Sequence, residues 1–106
     1  MPQIEVKGKI LELNEQGFLA HPEEWNEEVA AVLARAGEKI DELTAAHWAV
    51  VKYIRQYYLE NHLAPMVRAL CRTTGFPLKR IFELFPSGPA EGACKVAGLP
   101  RPDGCV

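Results

Sequence analysis

The chain has 106 residues, of which 48% are hydrophobic and 25% charged, with a net charge of −2. That length fits one domain around one core, and that charge argues against a general polyanion binder. No apolar run approaches the ~20 residues that span a bilayer. The start, Met1-Pro2-Gln3-Ile4-Glu5, is neither basic nor followed by an apolar stretch, so it does not read as a signal peptide. The expected setting is cytoplasmic, where the three cysteines, Cys71, Cys94 and Cys105, are free thiols rather than a disulfide scaffold. Cys105 is the penultimate residue.

Charge is unevenly spread. Residues 1–43 hold ten acids and four bases, whereas residues 44–106 hold eight bases and four acids. The stretch 64–82 contains Arg68, Arg72, Lys79 and Arg80 and no acid. Two readings are open: a solvated helical face, or a docking patch for an acidic partner or an oxyanion.

In chain order, the first elements are extended. Ile4 and Val6 alternate with Glu5 and Lys7, Gly8 supplies a turn, and residues 9–13 form the return strand before a second turn at Asn14-Glu15-Gln16-Gly17. A lone hairpin is marginal in water, so this one must pack on helices. Pro22 suits a first helical turn, with Trp25 as an anchor. Asn26 caps a helix whose Val29, Val32, Leu33 and Ala36 fall on one face, and Gly37 ends it. Thr44 caps the longest helix, about 45–62. Its apolar stripes are Trp48, Val51 and Tyr58 beside Val50, Ile54 and Tyr57, with Lys52, Arg55 and Gln56 on the wet side. Pro65 opens a helix that Gly75 closes. Pro77 starts a short one carrying Ile81, Phe82, Leu84 and Phe85, which Pro86 stops. Pro89 starts a last helix through about Ala97, with Gly98 in the C-cap position. The expected fold is mainly α: a small orthogonal helical bundle over residues 1–97 with an N-terminal β-hairpin, and a flexible C-terminal arm over 98–106. Fully extended, such an arm reaches at most ~30 Å.

The arm suggests chemistry. Ten residues separate Cys94, in the last helix, from Cys105. A bond between them needs the arm to fold back, because bridged Cα atoms lie roughly 4.4–6.8 Å apart. Gly98 and Gly104 permit the return. A loop of this size constrains the free chain by roughly 3 kcal/mol. Ordering the arm costs ~1–2 kcal/mol per residue. The constraint does not outweigh that ordering cost, so the bridge would be labile, as a redox cycle requires. The helix C-terminus disfavours a thiolate at Cys94, while Lys95 and Arg101 oppose that effect. Cys105 is then the thiol that leaves the surface and reacts first, and Cys94 resolves the adduct. The other reading makes Cys94 a small buried hydrophobe and Cys105 an accident of the tail. Spacing alone does not choose between them. Cys71, between Leu70 and Arg72, reads as packing.

Other chemistries find little support. There is no Cys-x-x-Cys, and His21, His47 and His62 show no ligand spacing with the cysteines, so no metal is expected. No phosphate-binding glycine motif occurs. The helices at 65–75 and 77–85 are arranged as in a helix-turn-helix, with Lys79 and Arg80 early in the second. This leaves DNA binding as a rival.

The C-terminal third carries a resemblance. Thr74-Gly75-Phe76-Pro77, Leu84-Phe85-Pro86-Ser87-Gly88-Pro89-Ala90, Gly92-Ala93-Cys94-Lys95-Val96-Ala97-Gly98-Leu99-Pro100 and the closing Gly104-Cys105-Val106 resemble the DsrC/TusE family, as do Gly8-Lys9 and Gly17-Phe18-Leu19. The resemblance spans essentially the whole chain. It implies a sulfur carrier, a helical bundle with an N-terminal hairpin, and no cofactor of its own. It further implies that Cys105 enters the catalytic channel of dissimilatory sulfite reductase and accepts sulfur. Cys94 would then join it in a trisulfide, which a membrane-bound electron-transfer complex reduces; sulfur oxidisers run related proteins as persulfides. Members confined to the tRNA-thiolation relay usually keep only the penultimate cysteine, so Cys94 favours the DsrC branch. Arg72, Lys79, Arg80, Lys95 and Arg101 are the candidate partner-binding residues. DNA binding and a plain thiol redox switch stand as alternatives.

Overall fold

The computed structural model describes residues 3–100, so Arg101 and Cys105, assigned above to the arm, lie outside the described residues. Strands β1 (Gln3–Val6) and β2 (Lys9–Glu12) form an antiparallel hairpin in which Val6 pairs with Lys9 and Gln3 with Glu12. Lys7 and Gly8 turn the chain with φ of 49° and 83°, the left-handed pair that matches the twist of a hairpin. Leu13 and Leu19 then bridge across a loop held by Asn14, whose side chain accepts from the Gln16 and Phe18 amides, both at 2.9 Å. Val6, Leu11, Leu13 and Leu19 pack on Val29 and Leu33 of the first helix. That contact gives the hairpin the support it lacks alone.

Helix α1 (Glu27–Glu38) starts at Asn26, whose side chain accepts from the Val29 amide at 2.9 Å. The expected stop at Gly37 is corrected: Gly37 lies inside α1, and Lys39 takes the left-handed cap at φ 57°. The reason is long-range. A Cβ on Gly37 would stand 3.3 Å from Cδ of Lys95, so the glycine admits a crossing side chain rather than ending the helix. Helix α2 (Ala45–Asn61) is the central element, with Val50, Val51 and Ile54 fully buried. Thr44 and His47 cap it reciprocally. The ring of His47 continues outward: Nδ1 accepts from the Thr44 amide and Nε2 donates to the Leu84 carbonyl, both at 3.0 Å.

Helices α3 (Val67–Thr74) and α4 (Leu78–Leu84) follow, joined through Gly75 at φ 78°. Ile81, Leu84 and Phe85 enter the core as expected, but Phe82 is half exposed and lies over Gly88. The expected single helix over 89–97 is also corrected. Residues Pro89–Ala93 form a π-turn, in which the Cys94 amide donates to the Pro89 carbonyl five residues back, and only then does α5 (Cys94–Val96) begin. Gly92 sits within this turn, where a Cβ would collide with Glu38 and Phe85. Glu38, the buried charged residue at the end of α1, accepts from the amide and the hydroxyl of Ser87 at 3.1 and 2.7 Å, which pins the turn in place. No helix among the described residues is long and apolar enough to cross a membrane. The mainly α fold with its N-terminal hairpin is as the sequence implied.

Candidate functional site

The site is built on the last turn of α5. Cys94 opens α5 and is fully buried in the main core cluster with Val51, Ile54 and Leu99. Burial pushes its thiol up to about 12, so it is protonated at neutral pH. The expected direction holds, but the cause is loss of water rather than the helix dipole, and Lys95 does not reverse it.

Immediately after Cys94 the chain makes a compact stop. Gly98 adopts φ 78°. Its amide donates to the Lys95 carbonyl at 3.0 Å, and the Leu99 amide donates to the Cys94 carbonyl at 3.1 Å. These paired bonds are a Schellman cap, in which Cys94 and Leu99 are the two residues whose side chains ordinarily meet. Both lie in the same cluster, and Leu99 is 1% exposed. Pro100 is the first exposed residue after it. Gly98 and Leu99, read from sequence as the start of the arm, are therefore packed against the core.

Two side chains from elsewhere complete the turn. The Trp25 indole N–H donates to the Val96 carbonyl at 2.9 Å, and the ring covers Gly98 so closely that a Cβ there would collide with it. Arg55 donates through Nη1 to the Ala97 carbonyl at 3.3 Å and through Nη2 to the Pro22 carbonyl at 2.8 Å. Its guanidinium lies 4.9 Å from the Trp25 ring centroid and 5.9 Å from that of Tyr58. Burial lowers the Arg55 pKa from its ordinary value, with Tyr58 acting the other way, yet a guanidinium remains charged. The expectation that Arg55 faces water is thus corrected. The signal was in the spacing: Arg55 continues the Trp48, Val51 and Tyr58 stripe, which faces the core. Its charge masked a position whose long stem and forked head suit a half-buried tie.

The predicted partner-binding residues do not form one group. Arg72 on α3 and Lys79 and Arg80 on α4 are exposed, and Arg80 pairs with the equally exposed Glu83 at 3.5 Å, a contact of little energetic weight. Leu78 and Phe82 add exposed apolar area to the same helix. Lys95 instead folds back over the Phe18 ring at 5.2 Å, with its stem along Gly17 and Gly37. It borders a cavity shared with Leu13 and Leu33. Cys71 is half-buried at the edge of the main core cluster. Among the described residues, no three His, Cys, Asp or Glu side chains gather as a metal site.

Fold and site together define a small helical thiol protein with one cysteine sealed under the root of a cysteine-bearing C-terminus. Residues 5–106 match the family described as DsrC like protein. The chain is 44% identical over its whole length, and the whole of the relative, to the dissimilatory-type sulfite reductase subunit gamma of Nitratidesulfovibrio vulgaris. It is 36% identical, over 94% of the chain and 96% of the relative, to the sulfurtransferase TusE of Salmonella typhimurium. The crystal structure of the oxidized gamma-subunit of the dissimilatory sulfite reductase (DsrC) from Archaeoglobus fulgidus superposes with a TM-score of 0.89 at 46% identity, covering 99% of this chain and 100% of that one. The chain belongs to the DsrC family.

Proposed function

We propose that the protein is a sulfur carrier and cosubstrate of dissimilatory sulfite reductase, working in the cytoplasm. The full-length 44% identity to a gamma subunit of that enzyme, in a chain that has both Cys94 and Cys105, carries the reading. Cys105 enters the partner and takes up sulfur at an intermediate oxidation level. The sulfur taken up carries a hydroxyl at that level, and Cys94 attacks it and expels water to give a trisulfide. Reduction of that trisulfide takes four electrons and four protons, returns both thiols and releases the central sulfur as hydrogen sulfide. The electrons come from a membrane-bound electron-transfer complex. Docking falls to the exposed α3–α4 surface, where Arg72, Lys79 and Arg80 complement an acidic partner. The same basic helix pair is what a DNA-binding role would use.

Mass spectrometry after turnover with sulfite reductase, sulfite and a reductant tests the reading. The expected product has one extra sulfur bridging Cys94 and Cys105. Absence of any adduct, with Cys105→Ala still fully competent, overturns it. The TusE relative at 36% identity favours a second reading, a persulfide relay in tRNA thiolation. That relay would load Cys105 and discharge it equally well in a Cys94→Ala protein, whereas the cosubstrate cycle stalls before the bridge.

A further inference from the structure

The C-terminal turn of a helix leaves carbonyls without intrahelical partners, and each needs one when buried. At the end of α5, counting the capping Ala97, there are four to satisfy. Leu99 and Gly98 serve the carbonyls of Cys94 and Lys95 through the cap. The carbonyls of Val96 and Ala97 are served by Trp25 and Arg55, from two other parts of the fold. Arg55 reaches at the same time to the Pro22 carbonyl, and its head stacks on Trp25, so the two side chains form one unit. What this unit holds down is the segment that carries Leu99 into the cluster enclosing Cys94. Lifting that segment breaks the Leu99 bond to the Cys94 carbonyl.

We propose that Arg55 and Trp25 are positioning residues that latch residues 96–99 over Cys94, so that Cys94 reacts only from a locally opened state. Arg55 ties the root of the C-terminal segment to the Pro22 turn, and Trp25 covers the glycine about which the root would swing. The proposal rests on the carrier reading for its use: the latch lets Cys105 load while Cys94 stays silent. It is tested independently of that reading.

In a Cys71→Ser/Cys105→Ser background, Cys94 is the remaining thiol, and its thiolate displaces iodide from iodoacetamide. The rate is followed by mass spectrometry at low urea concentrations. Arg55→Ala is expected to speed alkylation about tenfold, the weight of one charge-assisted hydrogen bond. Arg55→Lys, with a single compact donor, should fall between. Trp25→Phe, which keeps a ring and loses the N–H, should also react faster. The rates should depend on urea far more weakly than global unfolding does. Gly8→Ala serves as the control, because it strains the hairpin turn at φ 83° while its Cβ meets nothing within 4 Å; it should leave the rate in the absence of urea unchanged. Equal rates in parent and Arg55→Ala, an equal effect of Gly8→Ala, or a urea slope matching global unfolding would each overturn the latch. If Arg55→Ala proves unfolded by circular dichroism, Arg55→Lys and Trp25→Phe decide. Loss of sulfur loading on Cys105 with the tenfold effect intact overturns the carrier reading alone.

Discussion

Gly98→Ala is the sharpest structural test of the site, and Gly8→Ala is its control. Both glycines sit at nearly the same left-handed φ, 78° and 83°. A Cβ at Gly8 meets nothing within 4 Å, whereas one at Gly98 runs into the Trp25 ring. The backbone cost of placing alanine there is common to both, about 1–2 kcal/mol. Gly98→Ala adds displacement of a packed indole, about 1–3 kcal/mol. It also adds loss of the Trp25 bond to the Val96 carbonyl, about 1 kcal/mol. The expected totals are about 1–2 kcal/mol for Gly8→Ala and about 3–6 kcal/mol for Gly98→Ala. The larger figure is a substantial part of the 5–15 kcal/mol that holds a typical domain together. Urea denaturation at neutral pH measures both. In a Trp25→Ala background the excess should vanish, leaving Gly98→Ala no worse than Gly8→Ala. Equal costs in the otherwise unaltered protein would refute the close approach of Trp25 to the root.

Three further outcomes are expected. Because burial raises the Cys94 pKa from 9.0 to about 12, the folded state holds a proton that the unfolded state releases first. Its stabilising contribution is complete below pH 9 and fades as pH rises toward 12, at about 1.4 kcal/mol per unit; urea titrations at rising pH should show this slope in the parent and not in Cys94→Ala. His47 goes the other way. Burial, opposed by its bond to Leu84 and aided by Arg80, lowers its pKa below 6.5, so stability is complete above 6.5 and declines as pH falls below it; His47→Gln should flatten that acid limb, and an unchanged limb would remove His47 as its source. Finally, Lys79→Glu/Arg80→Glu should weaken binding to sulfite reductase and reduce its salt dependence without altering α-helix content. If DNA affinity alone responds, the α3–α4 surface serves nucleic acid instead.

What the sequence showed most clearly was local punctuation. Asn26, Thr44 and Gly75 cap the helices they were expected to cap, because a cap depends on a side chain and a few neighbouring amides. Gly37 and Gly92 were opaque for the opposite reason. Each is glycine because a distant side chain, Lys95 or Glu38, crosses it, and no local pattern encodes that crossing. The site divides the same way. Cys94, Cys105 and the glycines between them, Gly98 and Gly104, stand in the sequence itself. The grip on Val96 and Ala97 could not, since it joins residues 71 and 42 positions apart in the chain.

The burial of Cys94 bears on the order of events in the proposed cycle. In the presence of a small-molecule disulfide, a resolving thiol that was exposed and ionised would exchange with it and then pair with Cys105, giving a plain protein disulfide and two small-molecule thiols before any loading. Here the thiol is fully buried and its pKa stands near 12. At neutral pH its thiolate is therefore about a thousandfold scarcer than in a thiol at 9.0. Nucleophilic attack needs the thiolate, so bridge formation must wait for the root to open and water to reach the sulfur. The Schellman cap places that event at one hinge, because the residue to be exposed and the residue that must lift are the two ends of the same hydrogen bond, Leu99 to Cys94. Any contact with a partner that draws the C-terminal segment outward pulls on that bond first. Loading would thereby be coupled to the release of the thiol that completes it.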